Sequence, residues 1–175
     1  MYFNKDVQVI SIGGKDNLKN DLGAIIRTPG FRQVKAMGII RDANNNPQGA
    51  FKSIKNALEE NNLPSPSDPF KFAVGKPKVG VAILPDENTQ GELEDLCLKA
   101  IENEPAFLCV EGYFECLQEK GIQIKKPSKA KIYAYLSSKE NPELRLGNAA
   151  KAKYFQLNHP AFDRINNFIK KLVEE

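Results

Sequence analysis

Histidine and cysteine are scarce in this chain, which contains one histidine and three cysteines among 175 residues. The cysteines are odd in number and show no CxxC spacing, which argues against a disulfide framework or a zinc cluster and for a reducing compartment. Because they occupy apolar positions of helical patterns, we expect Cys97, Cys109 and Cys116 to lie in the core. His159 has no nucleophile near it, so no Ser/His/Asp or Cys/His catalytic site is supported.

Long apolar runs and nucleotide-binding motifs are also missing. No apolar run approaches about 18 residues, and Met1–Asp6 lacks the apolar region of a signal peptide, so we expect neither membrane insertion nor secretion. The chain contains no GxxxxGK[ST] or GxGxxG loop and no repeat with a period of about 20–50 residues. A net charge of +3 is too small by itself to indicate nucleic-acid binding. The composition therefore predicts a soluble, cytoplasmic protein.

Short β-rich runs alternate with helical patterns in the first hundred residues. Strands are predicted over Val7–Ile12, Val34–Ile40 and Val79–Leu84. Helical patterns follow these strands, and they begin at Asn17, Asn46 and Thr89. Asn46 is a favourable N-cap ahead of Pro47, and Thr89 with Glu92 has the spacing of a capping box. The alternation predicts an α/β fold with a mostly parallel sheet and helices on both of its faces.

The pattern changes to helices after residue 104. Helices are predicted over residues 107–118, 130–138 and 162–173, with a short one inside residues 142–154. We therefore expect a single domain, with an α/β core over residues 1–104 and a helical cap over residues 105–175.

An acidic residue follows each of the three predicted strands: Asp16, Asp42 and Asp86. Because the carboxyl ends of parallel strands share one edge of the sheet, where ligands bind, these side chains are expected to meet at a common rim. Glu92, Glu94 and Asp95, at the start of the following helix, add carboxylates to the same side. Converging oxygen ligands suit Mg²⁺ or Mn²⁺, and such ions act on phosphates.

A purely structural role for the same carboxylates is the alternative. Asp and Asn are ordinary residues of strand–helix turns, where they cap the next helix, and acids are favourable in a first helical turn. Capping requires neither Glu94 nor Asp95, although Asp95 could pair with Lys99 one turn later. Glu94, which lies beside the apolar stripe of its helix, is the better candidate for a metal ligand.

Four segments together resemble a family of small, mostly bacterial proteins related to the Toprim (topoisomerase–primase) domain. They are GGKDNLKNDLGAIIRTPGF, GIIRDANNNPQGAF, ILPDENTQGELEDLCL and PSKAKIYAYLSSKENPELRLGNAAKAKYFQLNHPAF. The resemblance implies a Toprim-like, Rossmann-like sheet that binds Mg²⁺ through a glutamate and a DxD pair, distantly similar to the overcoming-lysogenization-defect nucleases. The DxD pair corresponds to Asp42 and Asn44, and the GxLEDL segment to Gly91–Leu96, which contains Glu94 and Asp95.

The chain departs from the Toprim pattern at two places. No Glu-Gly motif follows a strand in the twelve residues before Gly13, and Asn44 replaces an anionic ligand by a neutral one, which weakens a site for a hard cation. The resemblance implies Asp42, Asn44, Asp86, Glu94 and Asp95 as metal ligands, with Asp42 and Glu94 as the catalytic pair. Two expectations follow: a metal-dependent, nuclease-like protein, whether active or catalytically degenerate, or a non-catalytic nucleic-acid-binding or regulatory module.

Charge is unevenly distributed along the chain. Residues 86–104 contain seven acids and one lysine, whereas residues 120–139 contain six lysines and no acid. The candidate contacts to nucleic-acid phosphates are Lys15, Arg41, Lys125, Lys126, Lys129 and Lys131. A solvated surface is the alternative explanation for these lysines, since lysine is common on protein surfaces. The two interpretations differ on whether the acidic and the basic stretch face the same cleft.

Overall fold

The structure, a computed structural model, describes residues 7–12 and 17–174 and has a mixed α/β fold. Seven α-helices lie within these residues: α1 (Leu18–Ile25), α2 (Pro47–Glu60), α3 (Leu93–Ile101), α4 (Pro105–Glu119), α5 (Pro127–Leu136), α6 (Leu146–Lys151) and α7 (Asp163–Val173). Three strands form one sheet: β1 (Ala36–Asp42), β2 (Phe72–Ala73) and β3 (Lys78–Leu84). Two short 3₁₀-helices cover Phe31–Gln33 and Pro160–Phe162. The α/β class predicted from the sequence is confirmed.

The sheet has the strand order β1-β3-β2, so that β3 is its central strand. β2 runs antiparallel to β3. β1 and β3 run in the same direction, because Lys78 N donates to Lys35 O beside their first residues (2.8 Å) and Ala43 N donates to Leu84 O beside their last (2.7 Å). The sheet is therefore mixed, and the mostly parallel, Rossmann-like sheet expected from the sequence is not confirmed. The two residues of β2 are too few to carry a periodic pattern.

The central position of β3 explains its composition. All residues from Val79 to Leu84 are buried, which matches an uninterrupted run of apolar and small residues. The prediction of a strand over Val79–Leu84 is confirmed, and that of a strand over Val34–Ile40 is confirmed with a shift of two residues, since β1 spans Ala36–Asp42.

The predicted first strand, Val7–Ile12, is wrong. These residues form no strand, and Val9 is 85% exposed, with Val7 and Ile10 also exposed. β-branched residues form strands where a neighbouring strand and a buried face receive them, so their local preference alone does not create a strand. Two predictions made from the next residues, the acid Asp16 and the phosphate contact Lys15, lie outside the described residues.

The chain divides into two compact units. The first unit comprises Met1–Ile39 and Phe51–Val81, and the second unit comprises Ile40–Ala50 and Ala82–Glu175. The core of the first unit includes the fully buried side chains Leu22, Ile54, Leu58, Val79 and Val81. The core of the second unit includes Ile83, Ile101, Tyr135, Leu136 and Phe155. The division into an α/β core and a helical cap stays a prediction.

The helices after residue 46 agree well with the sequence analysis. Pro47 is the first residue of α2, and Asn46 Oδ1 accepts a hydrogen bond from Gly49 N at 2.8 Å, as an N-cap does. Helices α4, α5, α6 and α7 lie where helical patterns are predicted. None of the helices in the described part of the chain combines the length and the apolar character needed to cross a bilayer.

The core position predicted for the cysteines is right for Cys97 and wrong for the other two. Cys109 and Cys116 are exposed. They lie on α4, of which only Phe107 and Val110 are buried. Because α4 is apolar around much of its circumference, its sequence does not indicate which face packs inward.

Candidate functional site

The end of β1 and the start of α3 meet in the second unit through a carboxylate. Asp42, the last residue of β1, accepts a hydrogen bond from Leu93 N at 3.0 Å through Oδ1, although 51 residues separate the two. Leu93 is the first residue of α3, so its amide is one of the four that an α-helix leaves without a partner inside itself. Asp42 therefore caps a helix that begins far away in the sequence.

A short backbone bridge holds this arrangement in place. Asn44 N donates to Gly91 O at 2.7 Å, and Gly91 N donates back to Asn44 O at 2.8 Å. Gly91 has a φ of 142°, and a Cβ at this position would collide with Asp95 Oδ2. The side-chain amide of Asn44 donates to Asp42 O at 3.3 Å, so it packs against its own backbone segment. Only glycine fits at position 91 without a shift of these neighbours.

A capping box opens α3, with different partners from those predicted. Glu92 is the N-cap: its side chain accepts from the amide of Asp95, and Asp95 Oδ2 accepts from Glu92 N at 2.7 Å. The other oxygen, Asp95 Oδ1, accepts from Ser128 Oγ at 2.6 Å and joins α3 to the first turn of α5. The predicted box of Thr89 and Glu92 is wrong, because the helix begins three residues later than that spacing requires.

Asp86 has a local structural role. Its Oδ1 accepts hydrogen bonds from Asn88 N at 2.8 Å and from Thr89 N at 2.7 Å. Although burial raises the pKa of Asp86, these hydrogen bonds outweigh burial and hold the pKa below its ordinary value. Asp86 thus stabilises the turn that follows β3, as the capping interpretation of this carboxylate expects.

Four carboxylates lie close together at the start of α3, and we call them the acidic cluster: Asp42, Glu92, Glu94 and Asp95. Burial raises the pKa of Asp42, and the charges of Glu94 and Asp95 raise it further against the hydrogen bond from Leu93. Burial also raises the pKa of Glu92, followed by the charges of Glu94, Asp42 and Asp95. The cluster therefore contains more negative charge than its surroundings compensate.

Two lysines of the basic stretch reach the acidic cluster. Lys129 Nζ lies 3.9 Å from Glu94 Oε1, and Lys126 lies near enough to lower the pKa of Glu92 against the effects that raise it. The acidic and the basic stretch thus meet at the first turns of α3 and α5.

The other predicted phosphate contacts stand elsewhere. Lys131 is paired with Glu111 of α4 at 2.7 Å and lies over the ring of Phe114, so it does not reach the cluster as a free cation. Lys125 is exposed and precedes α5, and Arg41 is half-buried on β1 next to Asp42. Of the predicted basic contacts, Lys126 and Lys129 are the two whose charges act on the acidic cluster, Lys126 on Glu92 and Lys129 on Glu94.

A metal centre is not preassembled in the described part of the chain. Among residues 7–12 and 17–174, no group of three or more His, Cys, Asp or Glu side chains is arranged to hold a metal ion. The acids predicted as ligands are among these residues. Asp42, Glu92 and Asp95 each accept a hydrogen bond at the start of α3, which directs one oxygen of each toward an amide.

Ser128 is absent from the residues predicted from the sequence, and Glu92 is predicted as a carboxylate of the same side and as the capping-box partner of Thr89, but not as a metal ligand. Glu92 could be found, because an acid three residues before Asp95 has the spacing of a capping box. Ser128 carries no such signal, since its contact with Asp95 joins residues 33 positions apart.

The chain belongs to the DUF3226 family, described as proteins of unknown function, whose pattern matches residues 1–174. Neither the curated proteins nor the solved structures include a match to it.

Proposed function

We propose that the acidic cluster binds Mg²⁺ or Mn²⁺ and that the protein acts on nucleic-acid phosphodiesters in the cytoplasm as a Toprim-related, nuclease-like protein. The observation that carries this proposal is the uncompensated charge at the start of α3. Burial, and after it the like charges of the neighbouring carboxylates, raises the pKa values of Asp42 and Glu92. A divalent cation offsets such repulsion, and carboxylate oxygens are its preferred ligands.

The residues suit the two halves of a metal–phosphate site. Asp42 keeps Oδ2 available when Oδ1 accepts from Leu93 N, and Glu94 has an oxygen 3.9 Å from Lys129. Lys126, the N-cap residue of α5, supplies positive charge for phosphate oxygens near Glu92, whereas Lys129 is paired with Glu94.

The chemistry assigned to the ion is stabilisation of the negative charge that develops on the phosphate. Glu92 is not among the residues assigned to the ion, and burial raises its pKa, so it is the carboxyl that would accept a proton from water. Asp95 holds α3 and α5 together through Ser128 and is a positioning residue.

A non-catalytic module that binds nucleic acid or another partner is the second candidate function. The observation that favours it is that three carboxylates already have a structural role, because Asp42, Glu92 and Asp95 all cap α3. In addition, no group of three side chains among the described residues is arranged to hold a metal ion. This alternative predicts binding without metal-dependent cleavage.

Calorimetric titration with Mn²⁺ and Mg²⁺, paired with a cleavage assay on single- and double-stranded DNA and RNA, tests the proposal. Asp42→Asn preserves an oxygen that can accept from Leu93 N and removes the charge, and Glu94→Gln removes the other ligand charge. Both should weaken metal binding by about tenfold or more, as removal of an ion ligand does. Glu143→Gln, an exposed acid outside the cluster, is the matched control and should bind as the wild type does.

The outcomes separate the two candidate functions. Metal binding with cleavage that both variants abolish supports the enzyme. Metal binding without cleavage supports the non-catalytic module with a structural ion. Absence of saturable metal binding by the wild-type protein would contradict the metal proposal itself.

A further inference from the structure

We infer that the first unit contains a second, metal-independent site, a cleft between Arg27 and Arg32 that binds the phosphate groups of single-stranded nucleic acid. The inference takes from the proposed function only the class of ligand. It concerns different residues in a different unit, and it requires no divalent cation.

The cleft is built by the turn that follows α1. Thr28 Oγ1 donates to Ile25 O at 2.6 Å, and Gly30 adopts a left-handed conformation with a φ of 89° before the 3₁₀-helix Phe31–Gln33. This reversal places Arg27 before the turn and Arg32 after it, on a cleft of about 560 Å³.

The two guanidinium groups are the charged groups that line the cleft, and they are uncompensated. Neither forms an ion pair or a side-chain hydrogen bond with any residue among 7–12 and 17–174. The sequence around them is one-sided as well, because residues 22–41 include four basic residues and no acid. The lysines near the acidic cluster differ, since Lys129 and Lys131 already face glutamates.

The charge of the whole unit points the same way. The sequence of the first unit contains eleven basic and six acidic residues, a formal net charge of +5, whereas the second unit contains 14 and 16, a net charge of −2. A polyanion approaching the protein is therefore attracted to the first unit.

The groups in the cleft suit a phosphodiester strand. Guanidinium presents a planar set of donors that pairs with two phosphate oxygens, and its flat face also stacks on a nucleobase. The half-buried Ile26 and the ring of Pro29 provide apolar walls beside the charges, and Gln33 adds a side-chain amide. An unpaired strand can place one phosphate and one base in a cleft of this size, which a duplex cannot do.

The test is fluorescence anisotropy of a labelled oligothymidylate with the full chain in EDTA, over a range of salt concentrations. The double variant Arg27→Gln, Arg32→Gln should weaken binding by about tenfold or more at low salt and reduce the salt slope by about 1.4, because each phosphate contact to a single strand contributes about 0.7. The matched control, Lys52→Gln, Lys71→Gln, removes two exposed charges from the same unit and should alter affinity much less.

A second pair of variants separates geometry from charge. Arg27→Lys, Arg32→Lys preserves the charge and loses the planar donors, so its affinity should fall between those of the wild type and the glutamine variant. The site would be overturned if Arg27→Gln, Arg32→Gln and the control Lys52→Gln, Lys71→Gln weakened binding equally. Absence of oligothymidylate binding by the wild-type protein would also overturn it. Because EDTA removes divalent ions, failure of the metal proposal leaves this result unchanged.

Discussion

The two units of this protein differ in whether their basic side chains are paired with acidic ones. In the second unit, three of the six lysines in residues 120–139 form ion pairs: Lys129 with Glu94, Lys131 with Glu111 and Lys139 with Glu104. In the first unit, Arg27 and Arg32 lie in an open cleft without such partners among the described residues. The number of lysines in a run therefore overstates the cationic surface that is available, because half of these lysines already face carboxylates.

The units also differ in the sign of the charge that is left over. The second unit concentrates negative charge at the first turn of α3, where the acidic cluster raises the pKa values of Asp42 and Glu92 through burial and like charges. The first unit has a surplus of positive charge. The net charge of +3 is the sum of these two opposite surpluses, which explains why it is uninformative by itself.

The largest effect is expected from glycine substitutions that compare the two units. Gly91→Ala in the second unit should destabilise the protein by about 3 kcal/mol, because it combines a positive φ with a collision against Asp95. Gly30→Ala in the first unit also has a positive φ, but its Cβ meets open space, so the cost should be about 1 kcal/mol. Urea denaturation measures both. Equal costs would show that the acidic cluster does not depend on the close approach of Gly91.

Smaller changes in stability, opposite in sign, are expected when the charge is removed from Asp42, which ends β1, and from Asp86, which follows β3. The folded-state pKa of Asp42 is raised, so the folded protein binds this proton more strongly than the unfolded chain does, and stability falls as pH rises above the ordinary value of 3.8. Asp42→Asn should therefore stabilise the protein at pH 7, by less than about 1 kcal/mol, and have little effect near pH 3.

Asp86 should show the reverse behaviour. Its folded-state pKa is lowered, so its stabilisation is present above the ordinary value of 3.8 and is lost as pH falls through the folded pKa. Asp86→Asn should destabilise the protein at pH 7 by less than about 1 kcal/mol, because the amide oxygen can still accept from Asn88 N and Thr89 N and only the negative charge is lost. Thermal unfolding at several pH values measures both variants, and the same sign for both at neutral pH would refute the distinction.

The smallest effect is a difference in reactivity among the three thiols, with no change in the free energy of unfolding. All three cysteines belong to the second unit, so the experiment reports on that unit alone. Burial raises the pKa of the Cys97 thiol to about 12, so it should resist modification in the native state. The exposed Cys109 and Cys116 should react with a disulfide reagent. Mass spectrometry should find two modified thiols per chain, and fast modification of Cys97 would contradict its packing.

Elements with local signals could be predicted from the sequence. Asn46 and Pro47 identify the start of α2 because an N-cap bonds within one turn, and the apolar run of β3 identifies a central strand. The site could be predicted in part on the same basis. Asp42, Glu94 and Asp95 follow recognisable elements, and they do meet in the acidic cluster.

Features that depend on distant contacts could not be predicted. The exposed segment Val7–Ile12 has the composition of a strand but no strand beside it. The sequence of α4 does not indicate that Cys109 and Cys116 face solvent. The partner of Asp95 on α5, Ser128, also has no local signal.

The sequence by itself determined the α/β class, the helices after residue 46 and the chain positions of its charges. Only the tertiary structure decided which charges have partners: Asp42 with the amide of Leu93, Lys131 with Glu111, and Arg27 and Arg32 with none among the described residues. The physical reason is the distance along the chain over which each interaction acts. Helix caps and apolar periodicity act within a few residues, whereas the pKa of a carboxyl or the availability of a guanidinium depends on groups that the fold brings to within a few ångströms from anywhere in the chain.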